Sequence, residues 1–153
     1  GCYACKAVPC VLACPSGALD HHCEKPEDIH MGIAVLELPE RCLAMSNISL
    51  PNGYSNKIHN FTDDVNNVTQ MELEIVEKMD EFKGKQCMLC TDMCPIPNPL
   101  SSIAMIDDIG GGKKPEIYDG CIGCGVCQEV CPTSIPSIVV KPRVSYDEYY
   151  NKA

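Results

Sequence analysis

Thirteen of the 153 residues are cysteine, and their spacing is the chemically informative feature of the chain. Three runs stand out: Cys2-x2-Cys5-x4-Cys10-x3-Cys14-Pro15, Cys87-x2-Cys90-x3-Cys94-Pro95 and Cys121-x2-Cys124-x2-Cys127-x3-Cys131-Pro132. All end in Cys-x3-Cys-Pro, so they form an internal repeat. Cys42 stands upstream of the second run as a candidate fourth member, and Cys23 is left over. A cubane [4Fe–4S] cluster needs four thiolates. Three cysteines of a C-x2-C-x2-C turn can wrap one cluster while the fourth, before proline, ligates the other cluster of a pair. The third run has that spacing residue for residue. Proline then ends the turn without requiring a backbone donor. Gly123 and Gly125 suit close approach of the backbone to inorganic sulfide.

Other cysteine chemistries fit less well. Zinc takes paired C-x2-C knuckles, which Cys2/Cys5, Cys87/Cys90 and Cys121/Cys124 would supply. It leaves unexplained a third cysteine followed by Cys-Pro in every run. A disulfide framework would force strained local bridges, and the cysteine count is odd. No C-x2-C is followed by His, which excludes c-type haem attachment, and the C-x3-C-x2-C order of radical S-adenosylmethionine enzymes does not occur.

Composition agrees with a cofactor-filled interior. There is no Trp, only 2 Phe and 6 Tyr, and the 45% hydrophobic fraction counts the cysteines. Side-chain packing alone is a weak basis for folding such a chain. The net charge of −9 argues against nucleic acid, because phosphate neutralisation needs a basic surface. No apolar run approaches the roughly 18–20 residues of a helical membrane span. Gly110-Gly111-Gly112-Lys113 lacks the spacing of a phosphate loop, and no carboxylate pair or nucleophile–base set stands out, so nothing supports an enzyme. His21, His22, His30 and His59 read as bystanders, with His21-His22-Cys23 the one run left open, and Cys23 as a buried thiol. The sequons at Asn47, Asn60 and Asn67 are discounted.

The elements that would position the cysteines are short. Residues 33–38 read as a strand entering Cys42, 137–140 as one leaving the third run, and 116–118 as a strand running into Cys121. Between Ser46 and Lys85 there is no cysteine. Val65, Val68, Met71, Ile75, Met79 and Phe82 recur there at helical spacing, with Thr62, Asp63 or Thr69 as caps and Gly84 as a stop. This segment is expected to be an inserted loop plus one amphipathic helix that packs on the body.

The run from Cys2 to Leu19, then Met31-Gly32-Ile33-Ala34-Val35-Leu36, then Cys42-Leu43, resembles the NapG/MauM ferredoxin-type proteins. The third run with its tail Ile138-Val139-Val140-Lys141-Pro142-Arg143 also resembles that family's C-terminal end. More broadly the chain is similar to the four-cluster electron-transfer subunits that accompany molybdopterin oxidoreductases. The resemblance covers everything except the insert. It implies an α+β, loop-rich fold of bacterial-ferredoxin-like (bi-cluster) repeats with short strands and helices, plus the inserted helix. Residues 1–45 and 86–153 would form the iron–sulfur domain and 46–85 the insertion.

The resemblance also implies a ligand partition, with the inner two of the family's four motifs paired and the outer two paired. Cys2, Cys5, Cys10 and Cys94 would hold one cluster, and Cys14, Cys42, Cys87 and Cys90 a second. Cys121, Cys124 and Cys127 would hold three corners of a third, with Cys131 there or reaching to a further cluster. The chain departs from the family in lacking its first motif and in the long gap between Cys42 and Cys87. The first departure is expected of a fragment whose N-terminal part, with any export signal, lies outside this sequence. At least two [4Fe–4S] clusters are expected, and three or four with the missing segment.

The expected function is single-electron relay. The resemblance implies a membrane quinol-oxidising ferredoxin-type protein as donor, a cytochrome or reductase as acceptor, and a periplasmic location, with a cytoplasmic one as alternative. The rival reading is an iron–sulfur subunit held stably in a larger oxidoreductase.

Overall fold

The structure is a computed structural model that describes residues 9–16, 19, 21–54, 70–96 and 99–143. Cys2, Cys5, Val65, Val68, the caps at Thr62, Asp63 and Thr69, and His59, Asn60 and Asn67 lie outside the described residues.

After a single helical turn, α1 (Pro9–Leu12), four short strands and two short helices build the body. The order is β1 (Ile33–Leu36), α3 (Leu89–Asp92), β2 (Ile103–Asp107), β3 (Lys113–Ile117), α4 (Val126–Glu129) and β4 (Ile138–Lys141). It reads as strand–helix–strand written twice. The outer strands pair antiparallel, Ile33 opposite Lys141 and Leu36 opposite Ile138, and the inner strands pair antiparallel from Ile103–Ile117 to Asp107–Lys113. The remaining helix, α2 (Gln70–Asp80), lies between Cys42 and Cys87 in sequence.

The strands at 33–38 and 137–140 occur with slightly different ends, and the strand expected at 116–118 begins earlier, at Lys113. β2 was not expected, although Ile103 to Ile106 is a contiguous apolar run. It is five residues long, and only Ile103 is buried while Ile106 and Asp107 face solvent, so its pairing with β3 defines it. In α2 Val76 and Met79 are buried, three apart on one face, while Leu73 is exposed; the side chains of Met71 and Ile75 lie outside the described ones. The helix ends at Asp80, before Gly84, and Gly84 takes a left-handed φ of 73° in the turn that follows.

The segment between Cys42 and Cys87 leaves and returns at one place. Ser49 and Gln86 form an antiparallel bridge, the Leu50 amide donates to the Lys85 carbonyl at 2.9 Å, and Gly84 donates back to Leu50 at 3.2 Å. Gln86 Nε2 adds a 3.2 Å bond to Asn47 Oδ1. Leu50, Tyr54 and Met79 from this excursion pack with Leu89, Met93 and Val130 of the body, and Cys42 and Cys87 lie in the same buried cluster. A second buried group joins Ala34, Ile103, Ile138 and Cys131 across both strand pairs. No helix among the described residues is long and apolar enough to cross a membrane.

Candidate metal centres

Each strand–helix–strand half delivers cysteines from the loop before its helix and one more from just after it. The loop of residues 121–125 turns on two left-handed glycines, Gly123 (φ 71°) and Gly125 (φ 85°), and Gly125 caps α4. Gly123 is also pressed against backbone: a Cβ built there would lie 2.4 Å from the Gly32 nitrogen. Its close neighbour is therefore the β1 entry loop, which also bonds the Cys121 loop through Met31 N–H to the Ile122 carbonyl at 3.0 Å.

Two hollows result. The first, about 370 Å³ of space partly continuous with solvent, is lined by Cys94, Cys121, Cys124 and Cys127, with Ser102 the one polar side chain besides the cysteines. The second, about 380 Å³ and likewise partly open, is lined by Cys42, Cys87 and Cys131, with Thr133 and Ser137. Cys90 and Cys127 line both, so the hollows share a wall. Among the described residues, no three His, Cys, Asp or Glu side chains close around a single metal ion.

The donors suit a compact cationic group. Burial, with Cys42, Cys131 and Asp92 nearby, pushes the Cys87 thiol up to about 11 against a backbone hydrogen bond from Leu89 that lowers it. Burial and the nearby Cys87 push Cys90 up to about 12, and burial with Cys90, Cys124 and Cys121 around it drives Cys127 higher still. Such thiols stay protonated at neutral pH, whereas a coordinating thiol is deprotonated outright by the positive charge it binds. Cys131 differs. Burial raises it, but hydrogen bonds from Ser137 and Thr133 outweigh burial and bring it below the ordinary thiol value. Soft thiolates around apolar walls are the donor set of iron–sulfur groups.

Comparison with known proteins agrees with this chemistry. Residues 115–137, spanning Cys121 to Cys131, match the 4Fe-4S binding domain family. The chain is 30% identical over 145 residues to the methylamine utilization ferredoxin-type protein MauM of Paracoccus denitrificans, covering 93% of this chain and 48% of that one. It is 29% identical over 146 residues to the ferredoxin-type protein NapG of Escherichia coli, covering 92% and 47%. The chain is thus similar, over nearly its whole length, to the MauM and NapG ferredoxin-type proteins. It spans about half the length of the curated relatives it matches. No solved structure matches it.

The NapG/MauM resemblance implied Cys94 beside Cys2, Cys5 and Cys10, and Cys14 beside Cys42, Cys87 and Cys90. The structure groups the described cysteines differently: Cys94 lines the hollow of Cys121, Cys124 and Cys127, and Cys131 lines that of Cys42 and Cys87. The reason is the strand pairing. Linking β1 to β4 and β2 to β3 sets the two halves against each other, so the cysteine after each helix faces the other half's loop. Cys10 is exposed in α1 and Cys14 is half-buried beyond it, and neither lines these hollows. His21 Nε2 meets the Cys14 carbonyl at 3.0 Å. Cys23, expected to be buried, is half-buried, and its Sγ donates to the Asp28 carbonyl at 3.4 Å.

Sequence reasoning passed over Ser102, Thr133, Ser137 and Tyr54. Nothing in one sequence separates a serine beside a sulfur from a serine in a turn.

Proposed function

We propose that this chain is an electron-transfer protein holding at least two [4Fe–4S] clusters and passing single electrons between redox proteins. The observation that carries the reading is the pair of adjoining cysteine-lined hollows with Cys90 and Cys127 in their common wall. Adjacent centres allow short electron transfers, and the protein's part is to supply thiolates, spacing and electrostatics.

The ligands proposed for the first centre are Cys121, Cys124, Cys127 and Cys94, and for the second Cys42, Cys87, Cys90 and Cys131. This allocation gives the shared-wall residues Cys90 and Cys127 by position in the repeat, where Cys42, Cys87, Cys90 and Cys94 answer to Cys121, Cys124, Cys127 and Cys131. Cys2, Cys5, Cys10 and Cys14 are a further binding motif in this proposal, serving one or more additional clusters. Residues 46–85 are an insertion in the iron–sulfur domain of 1–45 and 86–153, a reading supported by the zipped stem at Ser49 and Gln86. The net charge of −9 favours docking to a basic patch on a partner, weakened by salt. By homology the proposed route runs from a membrane quinol-oxidising ferredoxin-type protein to a cytochrome or reductase, in the periplasm.

The test is iron and acid-labile sulfide per chain after anaerobic purification. Two filled hollows give about eight of each, and a filled first motif raises both to about twelve. Zinc without sulfide would overturn the reading.

A further inference from the structure

The described residues hold two buried polar side chains, Ser102 at 2% exposure and Ser137 at 4%. Both occupy the same place in their halves, one residue before the return strand: Ser102 before β2 at Ile103, Ser137 before β4 at Ile138. Each lines one hollow. Each hydroxyl lies against the sulfur of the cysteine that precedes proline in its half. Ser102 Oγ is 3.3 Å from Cys94 Sγ, and Ser137 Oγ is 3.5 Å from Cys131 Sγ.

The serine backbones are anchored from the opposite side. The Ser137 carbonyl accepts the Glu37 and Leu38 amides at 2.9 and 3.1 Å, and the Ser102 carbonyl accepts the Tyr118 amide at 2.9 Å. A serine clamped this way cannot drift from its sulfur. Ser137 also donates its own N–H to Cys131 Sγ at 3.4 Å.

Thr133 is the other hydroxyl near Cys131, with Oγ1 at 3.2 Å. Its hydroxyl hydrogen is engaged with the Ile135 carbonyl at 2.8 Å, so that hydroxyl can accept from a Cys131 thiol but has no hydrogen for a thiolate. Once Cys131 is a thiolate ligand, the side-chain hydroxyl left to donate to it is that of Ser137, beside the backbone N–H groups of Ser137 and Thr133.

We infer that the hydroxyls of Ser102 and Ser137 are potential-setting groups, each donating to the ligand sulfur beside it and raising the reduction potential of its own centre. The inference rests on the electron-transfer reading above and deepens it. One-electron reduction, with the electron supplied by a donor redox protein and passed to an acceptor, adds one negative charge to a thiolate-held group and moves no atom. A donor aimed at the sulfur stabilises that added charge, and the effect is large because the hydroxyl is buried. Both serines act through a ligand and are positioning residues.

The experiment is potentiometric titration, followed by electron paramagnetic resonance, of the anaerobically purified full chain and of Ser137→Ala, Ser137→Thr and Ser102→Ala. Iron and sulfide are counted on every sample. Ser137→Ala is expected to make reduction of one centre about tenfold less favourable, a downward shift of about 59 mV for a one-electron couple. Ser102→Ala is expected to lower the other couple and leave that one in place, and Ser137→Thr, which keeps the hydroxyl, to stay near wild type. Unchanged midpoints at full iron content overturn the inference and leave the electron-transfer reading standing. So does a Thr variant as low as the Ala variant, or both Ala variants lowering both couples alike. Wild-type protein without iron and sulfide overturns the electron-transfer reading itself, and this inference with it. Should Ser137→Ala shed its iron, wild-type protein moved briefly into D2O decides. Loss of a rapidly exchanging proton coupling at a reduced centre supports the hydroxyl donor, and its absence overturns it.

Discussion

Gly123→Ala should be among the most damaging single changes in this chain, and Gly125→Ala supplies its control. Both glycines are left-handed, at φ of 71° and 85°, so alanine at either costs about 1–2 kcal/mol in backbone conformation. They differ in what a methyl group would meet. At Gly125 no protein atom outside the adjacent residues lies within 4 Å of the added carbon. At Gly123 the carbon falls 2.4 Å from the Gly32 nitrogen and 2.6 Å from its Cα and carbonyl carbon. Ordinary contact begins near 3.4 Å, so the two loops must part by about 1 Å. Gly32 has little room to withdraw, because its own Cβ position is 2.6 Å from the Lys141 carbonyl oxygen.

Parting the loops breaks the Met31–Ile122 bond of 3.0 Å and loosens the Ile33–Lys141 end of the β1–β4 pair. A lost bond with a buried group unsatisfied costs about 1–3 kcal/mol, which brings Gly123→Ala to about 2–5 kcal/mol in total. Urea unfolding of the two variants side by side, under anaerobic conditions and followed by far-ultraviolet circular dichroism, reads the difference. A gap of about 1–3 kcal/mol places the Gly123→Ala midpoint about 0.5–2 M below that of Gly125→Ala. Midpoints within about 0.3 M of each other would refute the close approach of the two loops.

Three further outcomes can be checked in the same way. Tyr54 has a buried hydroxyl with no hydrogen-bond partner among the described residues, and burial, then Asp80 and Cys87, pushes its pKa up to about 12. Tyr54→Phe should therefore stabilise the protein by about 1–2 kcal/mol in urea unfolding, and a loss of that size would show that the hydroxyl is bonded in the loaded protein. Met79 of α2 is 1% exposed, so Met79→Ala should cost about 2–5 kcal/mol by the same assay, whereas a cost under about 0.5 kcal/mol would mean that the helix does not dock on the body. Arg143 Nη2 donates to the carbonyls of Asp119 and Cys121, tying the segment after β4 to the first hollow's loop. Arg143→Ala should lose about 1 kcal/mol, discounted for exposure, and release iron faster on dilution into chelator; unchanged release kinetics would count against a holding role.

The chemistry of this chain was legible because cluster ligation is written in spacing, and spacing survives in a single sequence. Cys121 to Cys131 could be assigned to iron–sulfur chemistry before any element was placed. Strands bearing contiguous apolar residues, Ile33–Leu36 and Ile138–Lys141, were legible for a similar reason. What escaped depends on partners distant in sequence. Ile103–Asp107 is apolar from Ile103 to Ile106 but holds Ala104 and Met105 where the outer strands carry valines, and it exists as a strand through its pairing with Lys113–Ile117. The grouping of the cysteines depends on which strand pairs with which. Family resemblance alone set Cys94 beside the first motif, while the β1–β4 and β2–β3 pairs bring it to Cys121. Ser102 and Ser137 carry no signal at all until their sulfurs are in place.

The long gap between Cys42 and Cys87 follows the same logic. Lengthening a connection costs free energy only logarithmically in its length, so a large excursion is tolerated wherever its ends stay together. Here the Ser49–Gln86 bridge and the Leu50–Lys85 bond close the ends, and Leu50, Tyr54 and Met79 return apolar surface to the body's core. The separation of Cys42 from Cys87 is then set by the stem rather than by the length of the excursion, and both still line one hollow. The place of such an excursion is restricted for a mechanical reason. An excursion between Cys90 and Cys94 would split Leu89–Asp92 and carry Cys94 away from the first hollow. One between Ser102 and Ile103 would separate the hydroxyl from the strand that holds it. Among the described residues between Cys42 and Cys87, strand-type pairing is confined to the stem at Ser49 and Gln86, so the excursion beyond it can grow without disturbing Cys42, Cys87, Cys90 and Cys94.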